Sequence, residues 1–148
     1  MNSDNSPAVK KSQEFPLSTI LAVSTGTVGV APSQKKLFDL LRFMVGIDLK
    51  ATDCERAINE LLDPCKQAIL KQYPMLDRRK ADMEEETDAL EKLYGATTHN
   101  DLLQKKVLRA WADELSKKLG VTHLKVVPLS REQRDQLESD LAVIGIKT

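Results

Sequence analysis

The chain has 148 residues, 41% hydrophobic but only 4% aromatic, enough for one aliphatic core without disulfide or metal staples. Its 22 basic and 22 acidic residues cancel, so the basic excess of a dedicated nucleic-acid binder is absent. No apolar run reaches the length of a membrane span.

Residues 1–14 have little to bury and are expected to form a flexible tail, with a binding arm around Lys10 and Lys11 as the functional alternative. They lack the basic-then-apolar pattern of a secretory signal, so the expected compartment is the cytoplasm. Residues 15–148 are read as a single helical domain in three parts: an N-terminal helical half (15–76), a charged helical hairpin (77–120), and a strand with a final helix (121–148).

Pro16 is placed to open a short helix carrying Leu17, Ile20 and Leu21, with Gly26 as a left-handed stop. Thr27 to Val30 alternates and is read as a turn or a short extended segment. Pro32-Ser33 starts a second helix, whose stripe Leu37, Leu40, Leu41 and Met44 follows helical spacing up to Gly46. Thr52 with Glu55 matches a capping box. Asp63-Pro64 reads as a restart, Asp63 capping and Pro64 at the first helical position, and Pro74 ends that helix.

Asp77 to Tyr94 is highly charged. Arg78–Asp82, Lys80–Glu84 and Asp88–Lys92 stand at i, i+4 spacing and support a solvated helix with a thin seam of Met83, Leu90, Leu93 and Tyr94. A turn over 95–100 leads to the strongest apolar stripe, Leu103, Val107, Leu108, Trp111, Leu115 and Leu119. Trp111 is read as core, with an interface anchor as the alternative. His123 to Leu129 is the best strand. Ser130 with Gln133 forms a second capping box, opening a last helix that faces inward through Leu137, Leu141 and Ile144. A strand cannot satisfy its own backbone, so this one needs Thr27 to Val30, another copy of the chain, or an extended partner segment. Self-association through Leu124, Val126 and Val127 is one expectation. The fold class expected is mainly α: about six helices in one compact domain, with a short β element near the C-terminus.

Catalytic and metal signatures are absent from the pattern. Cys54 and Cys65 on one straight helix would sit roughly 16 Å apart, beyond the ~7 Å a disulfide spans, and are read as buried thiols. They are not in the close pairs of a zinc site. His99 and His123 lie in no motif that activates a nucleophile. No cofactor or metal is expected, and an enzyme has the least support. Three surface readings remain. The segment Thr25, Gly26, Thr27 and Gly29, with Lys35 and Lys36, could hold the phosphates of a nucleotide at a helix N-terminus, though it lacks the Gly-Lys-Ser/Thr ending of a phosphate loop. Arg78, Arg79, Glu84, Glu85 and Glu86 are candidate partner contacts, a solvated helix face being the bland reading. The basic pairs Lys35-Lys36, Arg78-Arg79, Lys105-Lys106 and Lys117-Lys118 lack the aromatic interleaving that base stacking needs, so nucleic acid is not an expected partner.

The runs Phe15-Pro16-Leu17-Ser18 through Thr25-Gly26, and Leu37 through Gly46, resemble a family of small uncharacterised bacteriophage proteins. Gln72-Tyr73-Pro74-Met75-Leu76 is similar to the end of that family's next helix, and Trp111 to Leu129 resembles it more weakly. The chain departs from the pattern at Val45, at Ile47-Asp48 and at Lys50-Ala51-Thr52. The resemblance implies a phage or prophage origin and carries no activity. Together these readings lead to a non-enzymatic accessory protein in the bacterial cytoplasm. It is expected to bind and inhibit a host protein, such as a defence or replication component. The alternatives are a nucleotide-signal binder and a self-assembling structural protein.

Overall fold

The structure, a computed structural model, describes residues 12–78, 80–94 and 100–146. Most of the expected tail, Arg79, His99 and the 95–99 turn lie outside the described residues. Within them the fold is mainly α, with seven α-helices and a two-stranded antiparallel sheet.

Chain order is β1 (Gln13–Pro16), α1 (Leu17–Ser24), a 3-10 turn at Val28–Val30, α2 (Gln34–Val45), α3 (Ala51–Arg56), α4 (Ile58–Gln72), a 3-10 turn at Pro74–Leu76, α5 (Lys80–Tyr94), α6 (Asn100–Leu119), β2 (His123–Val126) and α7 (Arg131–Val143). The centre is α1. Every residue of it except Ser18 is buried, and it packs against α2, α4 and α6. A helix apolar on all sides is a buried one, and LTILAV-type composition at 17–23 leaves no face for solvent. Pro16 does not enter this helix: it ends β1 in extended geometry and stands just before Leu17.

The helix signals at α2 and α7 hold in detail. The Ser33 hydroxyl accepts the Lys36 N–H, and Gly46 closes α2 at φ +66, a left-handed geometry that glycine adopts without penalty. Ser130 and Gln133 exchange both capping-box bonds. Two other signals fail. The Thr52 box does not form: α3 begins at Ala51 with no side-chain cap. The expected restart at Asp63-Pro64 does not occur either. The break falls at Ala57, and α4 runs through Pro64. Pro64 removes the donor for the Glu60 carbonyl, and both residues border a cleft facing α7.

The strand finds its partner inside the chain. β2 pairs antiparallel with β1, Phe15 opposite Leu124 and Glu14 opposite Lys125, whereas Thr27 to Val30 forms the 3-10 turn and no strand. Part of the segment assigned to a tail is therefore structured: Gln13 and Glu14 belong to the sheet. One face of the sheet puts Phe15 and Val126 into the core, with the Phe15 ring 5.6 Å from that of Phe43 on α2. The Leu129 N–H donates to the Met44 carbonyl, and Arg56 donates to the Ile144 carbonyl. These bonds tie the C-terminal part to α2 and α3.

Candidate functional site

Helix α5 carries the charged segment that the sequence singled out. Of its expected seam Met83 and Leu90 turn inward, together with Thr87, whereas Leu93 is exposed, and the helix packs against α6. Thr87, a polar residue in this seam, satisfies its hydroxyl on the Met83 carbonyl at 2.6 Å. Glu84, Glu85, Glu86, Asp88, Ala89, Lys92 and Leu93 are exposed.

The five residues singled out as partner contacts divide. Trp111, 2% exposed on α6, donates its indole N–H to the Glu86 carboxylate. The Arg78 guanidinium lies 5.0 Å from the Trp111 ring centre and pairs with Glu114 at 2.9 Å. Arg78 and Glu86 thus fasten the start and middle of the α5 region onto α6. They are fixed by the fold, and Trp111 is core. Arg79 lies outside the described residues. Glu84 and Glu85 remain, joined by Asp88, which the spacing had assigned to an ion pair with Lys92. Among the described residues Glu84, Glu85 and Asp88 close no ion pair. Exposed i, i+4 pairs gain a few tenths of a kcal/mol, against the entropy of holding two long side chains, so spacing alone does not close them. The turn end of the hairpin, about 13 Å along α5 from Glu84, exposes Leu93 (74%) and Leu102 (51%).

The nucleotide-site residues do not converge. Thr25 and Thr27 are buried, and their hydroxyls bond each other at 2.7 Å, with Thr25 also donating to the Leu21 carbonyl. Gly26, Thr27 and Gly29 border a small pocket with Met83, Glu84 and Gln104; the charge there is acidic. Lys35 pairs with Asp39. Lys36 lines a different cleft, of about 630 Å³, between β1 and α2. Phe43, Asp39 and Arg42 form the helix wall of that cleft, and Glu14 and Phe15 the strand wall. Arg42 is held by the Leu49 carbonyl and by Asp39. Sequence reasoning missed this cleft because β1 was hidden in the supposed tail.

The three residues named for self-association sit on β2 and just after it. Leu124 and Val126 face the sheet's packed side, Val126 fully buried. At Val127, the Gln72 side-chain amide accepts from the backbone N–H and donates to the carbonyl. The Tyr73 hydroxyl donates to the Lys125 carbonyl at 2.6 Å. The edge of β2 away from β1 is therefore occupied at Lys125 and Val127 by side chains from the end of α4. The strand thus has β1 on one edge and a partly capped backbone on the other, at the Lys125 carbonyl and at Val127.

His123 is exposed, its Nδ1 2.9 Å from the Thr122 hydroxyl. Cys54 and Cys65 are buried free thiols. Burial raises both pKa values, that of Cys65 to about 12. For Cys54 the Arg42 guanidinium works against burial without reversing it. Both are thus protonated near neutrality, the unreactive form. Among the described residues no three His, Cys, Asp or Glu side chains are grouped to hold a metal ion, and no helix is long and apolar enough to cross a membrane. No protein-family model matches the chain, and no curated protein or solved structure is significantly similar to it.

Proposed function

We propose that this protein acts by binding another protein through the outer face of α5, and that it inhibits the partner by covering it. The observation that carries this reading is the acidic face of α5: Glu84, Glu85 and Asp88 are exposed and close no ion pair among the described residues, with the exposed Lys92 as the cation beside them. Leu93 and Leu102 add apolar area farther along, at the turn end of the hairpin. Exposed carboxylates flanked by apolar contact suit a partner with a Lys- or Arg-rich surface and a small apolar patch. Complementary charge speeds encounter and rejects wrong partners, while the apolar contacts supply area removed from water. The resemblance in residues 15–76 frames the partner as a protein of a bacterial host.

Affinity capture from a bacterial lysate tests the reading, with wild type and the triple variant Glu84→Lys/Glu85→Lys/Asp88→Lys run in parallel. All three sites are exposed, so the variant folds with stability changed by about 0.5 kcal/mol per site or less. A polypeptide retained by wild type and lost by the variant is expected. Equal retention by both removes α5 from the interaction.

A further inference from the structure

The sheet treats its two edges differently. The Leu17 N–H donates to the Thr122 carbonyl, which fixes the alternation: Phe15–Leu124 and Gln13–Val126 are the hydrogen-bonded pairs. The N–H and C=O of Glu14, like those of Lys125, therefore point away from the partner strand. On β2 this outward edge is capped at the Lys125 carbonyl by Tyr73 and at Val127 by Gln72. On β1 the outward N–H and C=O of Glu14 meet no partner among the described residues. The cleft of about 630 Å³ borders all four residues of β1. Successive residues of a strand point to opposite faces, so a cleft touching all four passes around the strand; it meets β2 only at His123, opposite Pro16. Its far wall is α2, where Phe43 is half-buried and Lys36 is exposed.

We propose that the outer edge of β1 takes up an extended segment of a partner protein as a third strand, with a basic residue of that segment opposite Glu14 and apolar residues on either side of it. Strand addition draws its affinity from main-chain bonds and its specificity from alternate side chains. The residue bonded to Glu14 projects on the exposed face, where opposite charge is favoured. Its two neighbours project on the other face, beside Phe15 and Phe43. The existing β2 already follows this pattern on the inner edge: Lys125 stands opposite Glu14, between Leu124 and Val126. A second copy of this chain fits worse. The symmetric register that uses both Glu14 bonds sets Glu14 against Glu14, and like charges directly opposite are destabilising. A shift by two residues sets Glu14 against Pro16, which has no N–H, or against Ser12, which brings no opposite charge. This site is separate from the α5 face.

The test is amide hydrogen exchange and titration on the full chain with two synthetic peptides, Thr-Val-Lys-Val-Thr and Thr-Val-Glu-Val-Thr. The Lys peptide is expected to slow exchange of the Glu14 amide at least tenfold and to bind about fivefold tighter than the Glu peptide. In Glu14→Lys that preference reverses. In the α5 triple variant it is unchanged, which separates this site from the proposed function. The proposal is overturned if saturating peptide leaves Glu14 exchange unaltered, if Glu14→Lys keeps the original preference, if exchange of Glu14 is already slow in the free chain, or if the protected species is a dimer without peptide.

Discussion

Burial sets the chemistry of individual side chains here, and Cys65 is the sharpest case. Its thiol is raised from 9.0 to about 12 by desolvation. The unfolded chain then releases this proton near pH 9 while the folded chain keeps it, so the unfolded state binds fewer protons and stability falls as pH rises between the two values. The contribution is fully present below about pH 9 and is lost toward pH 12. Denaturant unfolding of wild type and Cys65→Ala from pH 7 to 11 reads this directly: wild type loses up to about 1.4 kcal/mol per pH unit more than the variant above pH 9. A constant difference across the range contradicts it. The Trp111–Glu86 bond acts at the same scale. Removing the acceptor leaves a buried indole N–H unpaired, which costs about 1–2 kcal/mol. Glu86→Ala is expected to lose that much in unfolding followed by fluorescence of Trp111, the chain's sole tryptophan. Glu84→Ala, on the same helix without such a bond, shifts stability by less than about 0.5 kcal/mol.

At the scale of elements, Pro64 sits inside α4 where it denies the Glu60 carbonyl a donor. Pro64→Ala restores the bond and relieves the clash, and the variant is expected to gain about 1–3 kcal/mol in chemical denaturation; a loss of stability would show that the proline shapes the α4–α7 cleft instead. The same helix shows where sequence reading stops. Ser33, Gly46, Ser130 with Gln133, and Pro74 were legible because each acts on its own neighbours within four residues. Pro64 was misread because its local signal is a start, and the burial of Leu61, Cys65 and Ile69 on one continuous face overrides it. Ala57, where the chain does turn, carries no local mark. β1 was illegible for a different reason: a four-residue strand beginning Gln13-Glu14 shows no alternation of its own, and its existence depends on Leu124 and Val126 more than a hundred residues away. Of the candidate contacts, the exposure of Glu84 and Glu85 followed from the helical pattern. The capture of Glu86 by Trp111 and of Arg78 by Glu114 is a tertiary event between two helices, which no spacing within α5 encodes.

For the whole molecule, the interior is committed to packing. α1 is buried on nearly all sides, both thiols are protonated, and the hydroxyls of Thr25, Thr27 and Thr87 are spent on local bonds. The exposed groups of the two proposals lie at the periphery, on α5 and along β1. Binding through exposed carboxylates is screened by salt, with a Debye length of about 10 Å at 0.1 M, so affinity for a basic partner should fall as ionic strength rises. The most direct measurement is the affinity of the captured partner for wild type and for Glu84→Lys/Glu85→Lys/Asp88→Lys, at low and high salt. Wild type is expected to bind more weakly at high salt, and the variant to lose at least tenfold in affinity at low salt while unfolding at the same denaturant concentration. Equal affinity of the two proteins, unchanged by salt, would contradict a function carried by the α5 face.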